Sequence, residues 1–194
     1  MPYNFVAKNK IVHSPADFNG MKVGGTGAKM DMVTANGGAS VRTIPPEAYM
    51  NLDKGVVDGC FITFAQVHDY KIQEVADYFY SQDFGSGLGI MIMNLDAWNS
   101  LPPGDQKIMM DTFDEAAPYC TKNSINDVVA GIQMILDAGK KITDPTKDET
   151  AAWEKAADLI IDKWSSDAKS LGINQQTIDK VFAAWKSIRQ KYVK

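Results

Sequence analysis

A glycine-rich turn is the segment of this sequence best suited to hold an anion. Residues 23–29 read Val-Gly-Gly-Thr-Gly-Ala-Lys and lie between a β-rich segment and a helical one. Backbone N–H groups in such a turn, and the positive end of the following helix, attract negative charge. Nucleotide-phosphate loops need GxxxxGK(S/T) or GxGxxG, and Met30 breaks both patterns. The turn is more simply a tight strand–helix connection whose helix start could still line a small-molecule site.

Histidine and cysteine, which often serve as acid–base catalysts and nucleophiles, are rare in this chain. The histidines are His13 and His68, the cysteines are Cys60 and Cys120, and neither GxSxG nor CxxC occurs. His68 stands in a polar, helical segment, as surface residues do. A Cys60–His68 pair has no motif to support it. We therefore expect no enzyme, no metal site and no cofactor.

Composition narrows the function further. The chain has 194 residues, with 20 Lys and Arg against 24 Asp and Glu, so the net charge is −4 and no nucleic-acid partner is expected. Only Arg42 and Arg189 offer the planar guanidinium fork that grips carboxylates. No apolar run has the length that a bilayer-spanning helix needs. Residues 1–8 lack a signal-peptide pattern, so the chain is expected to be cytoplasmic, or else a mature or truncated form.

Short strands and helices alternate in the first half of the chain. Ser14-Pro15 has the N-cap and first-turn proline of a helix start, and Gly and Pro punctuate the later elements. The alternation is typical of βαβ units in a mainly parallel sheet. Strands are predicted at residues 21–24, 39–44, within 56–63, 77–83 and 88–93, and helices at 28–36, from 45 to the glycine at 55, and 66–76.

The second half is mostly helical. Apolar residues recur at helical spacing from about residue 101 to 138, and Pro118 is expected to kink or break this helix. A short strand is predicted at 140–143, and helices are predicted at 147–171 and 175–193. Aromatic residues such as Phe84 are usually core residues, but some could form the wall of an apolar pocket.

Five segments occur in the order and spacing of one known family. They are residues 18–23, 47–52, 55–59, 74–78 and 94–102, and the most specific is Gly-Val-Val-Asp-Gly at 55–59. From about Lys8 to the C-terminus, the chain resembles the dicarboxylate-type (DctP-like) solute-binding proteins of tripartite ATP-independent periplasmic (TRAP) transporters. That family carries L-x-G-(L/M)-K-(I/V)-R, E-V-Y-x-A-L-Q-x-G-x-V-D-G, (Y/F)-x-E-V-x-K-Y and N-x-x-x-W-x-x-L-P at these places.

The resemblance implies an α/β fold of the periplasmic-binding-protein type II, in which two lobes close around one ligand. This chain matches a second lobe, a mixed sheet flanked by helices, at residues 1–100. A long lobe-spanning helix at 101–139 and a C-terminal strand and helices at 140–194, packing back on the lobes, complete the match. The first lobe is then largely missing, as in an N-terminally truncated protein. Without the first lobe, strand edges and apolar faces of the second lobe are exposed. Such surfaces favour self-association or swapping into a homo-oligomer.

The function that the resemblance implies is extracytoplasmic solute binding without catalysis. The full-length protein is expected in the periplasm, with its signal peptide upstream of this chain. It binds a small organic acid, or an aromatic or apolar carboxylate, in the interlobe cleft and delivers it to the permease subunits of a TRAP transporter. Two alternatives stay open. One is a degenerate or truncated homologue that oligomerises without binding a solute, and the other, more remote, is an enzyme that uses Cys60.

Two departures from the family pattern bear on the ligand. The arginine that grips the ligand carboxylate in the family corresponds to Gly24, and the ligand-binding asparagine corresponds to Ile62. Without these charge-assisted and polar contacts, a more apolar or aromatic ligand is expected. Arg42 is either a replacement anion partner or an ordinary surface cation. The predicted ligand-binding residues are Gly24, Gly25, Thr26, Arg42, Cys60, Phe61, Ile62 and Phe84.

Overall fold

The fold is built on one six-stranded sheet with the strand order β3-β2-β4-β1-β5-β6. The computed structural model describes residues 1–87 and 91–192, with side chains as far as residue 188. β1 pairs antiparallel with both of its neighbours, and every other pairing is parallel. Five strands therefore run one way and β1 runs against them, so the sheet is mixed. The strands are β1 (Asn4–Ala7), β2 (Lys22–Gly25), β3 (Ala39–Arg42), β4 (Gly59–Ile62), β5 (Tyr78–Tyr80) and β6 (Ile142–Thr143).

Helices flank the sheet and form most of the second half of the chain. Short 3-10 helices occur at Pro15–Phe18 and Ile72–Glu74. Within the described residues, no helix is long and apolar enough to cross a membrane. The α-helices are α1 (Lys29–Ala35), α2 (Pro45–Asp53), α3 (Phe64–Tyr70), α4 (Leu95–Ser100), α5 (Pro103–Asp137), α6 (Lys147–Ser170) and α7 (Gln175–Tyr192).

Each side of the sheet has its own hydrophobic core, because successive side chains of a strand point to opposite faces. We call the side covered by α2, α3 and the C-terminal part of α5 the α3 face. The side covered by α1, α6 and the Pro15–Phe18 turn is the α1 face. The α3 face buries Val6, Cys60, Ile62 and Phe79, and the α1 face buries Phe5, Val23, Phe61 and Tyr80.

Most predicted elements are present with shorter bounds, but several points differ from the sequence analysis. The helix predicted at 66–76 is α3 and a separate 3-10 helix, divided at Lys71, which has a left-handed backbone, and α4 has no predicted counterpart. β1 has no predicted counterpart, although it lies inside the sheet between β4 and β5. A strand is predicted at 88–93. Residues 88–90 lie outside the described residues, and residues 91–93 form no strand. The helix is not broken at Pro118, because α5 runs through it without interruption. Pro118 is exposed, so water can satisfy the carbonyl group that loses its N–H partner.

Candidate functional site

The candidate site lies at one edge of the sheet, where the carboxyl ends of β2 to β6 and the amino end of β1 meet. The strand directions place the turns after β2, β3 and β4 side by side at this edge. They also bring the segment after β5 next to the residues before β1, where Phe84 N–H donates to the Tyr3 carbonyl at 2.9 Å. Open α/β sheets bind ligands at the carboxyl ends of their strands.

Two of the predicted site residues, Gly24 and Gly25, are closely surrounded in β2. A Cβ atom built on Gly24 would lie 2.9 Å from Thr43 Oγ1 and 3.0 Å from Cys60 Cβ. A Cβ atom on Gly25 would lie 2.7 Å from Met30 Sδ. These neighbours fill the space that a side chain needs, so both positions can offer a ligand only backbone groups.

Cys60 and Ile62 lie on the α3 face, on the opposite side of the sheet from the predicted site residues Phe61 and Phe84. Each is about as buried as a side chain can be, with 1% of its surface exposed. Burial raises the pKa of the Cys60 thiol to about 12, because a thiolate would be poorly solvated there. His68, the partner considered for Cys60, has a half-exposed side chain 3.3 Å from Asp69. The structure therefore does not build a reactive cysteine at this position.

Phe61 and Phe84 lie on the α1 face in one aromatic cluster. Their ring centroids are 5.0 Å apart, and Phe84 also packs edge to face on Trp153 at 4.9 Å. Phe5 contacts both Phe61 and Phe84, at 5.2 and 6.5 Å. Such edge-to-face pairs stabilise a fixed arrangement of rings. The geometry thus places Cys60 and Ile62 on one face of the sheet and Phe61 and Phe84 on the other.

Sequence analysis did not select Lys29, which the structure places at the centre of this edge. Its ammonium lies 3.7 Å from the centroid of the Tyr3 ring and 5.9 Å from that of Phe61. It also donates a hydrogen bond to the Thr26 carbonyl at 2.8 Å. Partial burial lowers the pKa of Lys29, since the cation is incompletely solvated. Lys29 is the last residue of the glycine-rich segment 23–29 and the first residue of α1. That position is the signal in the sequence that could have identified it.

An open groove of about 1720 Å³ begins at Lys29 on the α1 face. It runs between the turn at residues 27–29, the segment at residues 82–86, and the facing surfaces of α6 and α7. Its lining combines rings, including Tyr3, Phe84 and Trp153, with charged side chains of both signs. Such a groove can hold an apolar ring and orient one polar group.

Arg42 lies elsewhere on the same edge. It is exposed at the end of β3, where it is the register partner of Gly25. It is not among the residues that line the groove. Within the described residues, no cluster of His, Cys, Asp and Glu side chains could hold a metal ion.

Comparison with known proteins gives one family. The family model for "Bacterial extracellular solute-binding protein, family 7" matches residues 3–167. The "C4-dicarboxylate-binding periplasmic protein DctP" of Rhodobacter capsulatus is 24% identical over 185 residues, which are 94% of this chain and 54% of that protein. The chain spans about half the length of the curated relatives it matches.

Solved structures share the fold at low sequence identity. A TRAP solute-binding protein from Rhodoferax ferrireducens T118, in complex with copurified benzoate, has a TM-score of 0.82 and 22% identity, covering 100% of this chain and 62% of that one. A marine-metagenome TRAP solute-binding protein specific for aromatic acid ligands, in complex with metahydroxyphenylacetate, has a TM-score of 0.80 and 24% identity with the same coverage, 100% and 62%. This chain therefore has the mixed, helix-flanked sheet of these proteins.

Proposed function

Because the chain belongs to family 7 of the bacterial extracellular solute-binding proteins, we propose that it is the solute-binding component of a TRAP-type uptake transporter. It binds a small organic acid reversibly and carries out no reaction on it. It works outside the cytoplasmic membrane, as the periplasmic relative from Rhodobacter capsulatus supports. Its macromolecular partners are the permease subunits of the transporter.

The observation that carries this proposal is an aromatic groove with one half-buried cation at the ligand-binding edge of the sheet. Lys29 and Phe84 both line that groove. Rings supply apolar surface for a ligand, and a lysine supplies attraction for one carboxylate. The groove favours an aromatic or apolar monocarboxylate over a dicarboxylate. The arginine that binds the ligand carboxylate in the resembling family corresponds here to Gly24, a position with no room for a side chain.

The predicted binding residues take different parts in this proposal. The ring of Phe84 packs against the ligand, whereas Gly24, Gly25 and Thr26 do not line the groove and instead lead into the residues 27–29 that do. Phe61 holds Phe84 in place through their contact at 5.0 Å. Cys60 and Ile62 support β4 from the opposite face, and Arg42, which lies outside the groove, is a surface cation that takes no part in binding.

Two relatives in complex with aromatic acids, benzoate and metahydroxyphenylacetate, favour the same ligand class. In the mechanism we propose, the acid enters the open groove, excludes water from the rings and is released unchanged at the permease. Closure of the protein around the ligand couples binding to docking, as hinge motions do in binding proteins.

Thermal unfolding with a set of acids tests the proposal. The set contains benzoate, phenylacetate, malonate and glucuronate. It is applied to this chain and to the chain extended by any in-frame coding sequence upstream of Met1. An aromatic acid at about 100 times its Kd is expected to raise Tm by roughly 5 °C, since a ligand that binds only the folded state stabilises it. No shift with any acid in either protein contradicts solute binding and favours a homologue that acts through oligomer contacts.

A further inference from the structure

One cation of the groove, Lys29, lies beside aromatic rings and has no acidic partner among the described residues. Lys29 donates one hydrogen bond, to the Thr26 carbonyl, and its ammonium lies over the Tyr3 ring. In the part of the chain that the structure describes, it forms no ion pair, whereas Lys140 pairs with Asp77 and Lys163 with Asp167. An ammonium has three N–H donors, so these contacts leave two for a ligand.

The surroundings of Lys29 make it a good partner for a carboxylate. Its partial burial weakens screening by water, so a charge-assisted hydrogen bond formed there is stronger than one at an open surface. Several acids also line the groove, and those on α6 and α7 are Glu154, Asp158 and Asp179. Lys155 and Lys186 line the groove on the same two helices, but both are exposed, so the partial burial of Lys29 distinguishes it from them as a carboxylate partner.

The side-chain oxygen of Gln82 is a second polar atom of the groove that is available to a ligand. Gln82 lines the groove and is only 6% exposed. Its Nε2 donates to the Asp83 carbonyl at 2.9 Å, but within the described residues its Oε1 accepts no hydrogen bond. A buried carbonyl oxygen without a donor is costly, so a ligand that brings an O–H or N–H donor gains affinity here.

Aromatic side chains fill the space around these two polar groups. Tyr3 lies under the Lys29 ammonium, and Phe84 follows Gln82 by two positions and packs on Trp153. The indole N–H of Trp153 already donates to Tyr80 Oη at 3.2 Å, so Trp153 offers the groove only apolar surface. The end of the groove at Lys29 thus combines that cation, the Gln82 acceptor and apolar walls, while the other lysines of the lining, Lys155 and Lys186, lie on α6 and α7.

Building on the proposed function, we propose that Lys29 binds the ligand carboxylate in place of the arginine absent at Gly24, and that Gln82 Oε1 accepts a hydrogen bond from a hydroxyl on the ligand ring. The ligand class is then a hydroxylated aromatic monocarboxylate. A plain aromatic acid binds more weakly because it leaves Gln82 Oε1 without a donor, and an aliphatic dicarboxylate binds more weakly because it has no ring to pack against the aromatic walls.

Calorimetric titration with 3-hydroxybenzoate and benzoate tests both parts on wild type and three variants. Lys29→Met keeps the length of the side chain and removes the charge, and it is expected to weaken binding of both acids by about 10-fold to 100-fold. Arg42→Gln is the matched control, since it removes an exposed cation outside the groove, and it is expected to change Kd less than about 2-fold. Gln82→Met is expected to abolish a preference of about 5-fold for the hydroxylated acid over benzoate.

The outcomes separate this inference from the proposed function. If wild type binds both acids and Lys29→Met binds them as tightly, Lys29 is not the anion partner and this inference is overturned while solute binding stands. If Gln82→Met retains the hydroxyl preference, the assignment of Gln82 is overturned. If wild type binds neither acid but malonate or glucuronate raises its Tm, this inference is overturned while solute binding stands. If no acid of the set binds, the proposed function fails as well. Equal thermal midpoints of the unliganded variants show that lost affinity does not come from lost folding.

Discussion

At the scale of single residues, the two positions where the resemblance implies polar ligand-binding residues, Gly24 and Ile62, are both buried and closely packed. Gly24 faces Thr43 and Cys60 so closely that even a methyl group would contact them at about 3 Å, as the 2.9 and 3.0 Å distances show. Ile62 lies in the core of the α3 face with 1% of its surface exposed. Both replacements fit the packing of this chain, because a long polar side chain at either position would be buried without a partner.

Cys60 provides a test of the residue-scale description. Its buried thiol, with a pKa raised to about 12, is expected to stay protonated and inaccessible at neutral pH. Cys120 is exposed on α5 and is expected to react instead. Titration with a coloured disulfide reagent should therefore modify one thiol in the native protein and both after denaturation. In Cys120→Ser the native reaction should disappear, and rapid labelling of Cys60 in that variant would revive the enzyme alternative.

At the scale of elements, a close approach between α3 and α5 fixes the position of α5 against the sheet. A Cβ atom on Gly131 of α5 would lie 1.8 Å from the Phe64 carbonyl oxygen at the start of α3. Only a residue without a side chain allows the two backbones to come this close. Ile135, one turn later, is fully buried against the same core. The C-terminal part of α5 is therefore held firmly while its N-terminal part projects from the sheet.

We expect Gly131→Ala to destabilise the fold by about 3 kcal/mol, because α5 must move away from α3 and expose the Ile135 contacts. Gly104→Ala in the first turn of the same helix is the matched control, since a Cβ atom there meets nothing within 4 Å. Unfolding in urea measures both. Equal free energies of unfolding for the two variants would contradict the close approach of α3 and α5.

The start of α6 makes a pH-dependent contribution to stability. Glu149 accepts a hydrogen bond from Thr146 N–H at 2.7 Å and lies 2.7 Å from His13 Nδ1. The hydrogen bonds from Thr146 and the neighbouring His13 lower the pKa of Glu149 from its ordinary value. Because the folded-state pKa is the lower one, the stabilisation is present above the unfolded-state pKa and is lost as the pH falls through the folded-state value.

Glu149→Gln should therefore make the stability less sensitive to acid. Gln keeps the capping hydrogen bonds of this helix start but does not titrate. Between about pH 5 and about pH 3, the free energy of unfolding should fall less steeply in the variant than in wild type. Thermal unfolding at several pH values measures the two slopes. Parallel curves would show that Glu149 carries no stabilisation specific to its charged form.

At the scale of the whole molecule, a large apolar surface lies away from the two cores. Leu95 on α4 is 69% exposed, and Ile108, Tyr119 and Ile125 on α5 are 64, 68 and 58% exposed. Exposed apolar residues in such number on neighbouring helices mark an interaction surface or an association hazard. The chain covers 54% of the length of its Rhodobacter capsulatus relative, so residues that the relative has are without counterpart here.

We expect this surface to drive self-association of the chain. Light scattering at increasing concentration should show species heavier than a monomer, and the double variant Ile108→Lys with Tyr119→Lys should reduce them. Asn126→Lys is the matched control, because it adds charge to an exposed polar position of the same helix. A clean monomer at high concentration in the wild-type chain would contradict this expectation.

The sequence by itself determined most of the helices and strands and the family, because helix caps, glycine turns and ordered motifs are local signals. Ser14 before Pro15 and the glycine-rich turn before α1 lie where their chemistry predicts. Only the tertiary structure decided that β1 enters the sheet between β4 and β5, since that pairing joins residues far apart in the chain. It also decided which face each strand residue occupies. That choice separates Cys60 from Phe61 and puts Lys29, rather than an arginine, beside the rings. Strand alternation assigns neighbouring residues to opposite faces, but only packed helices define which face becomes core and which borders a groove.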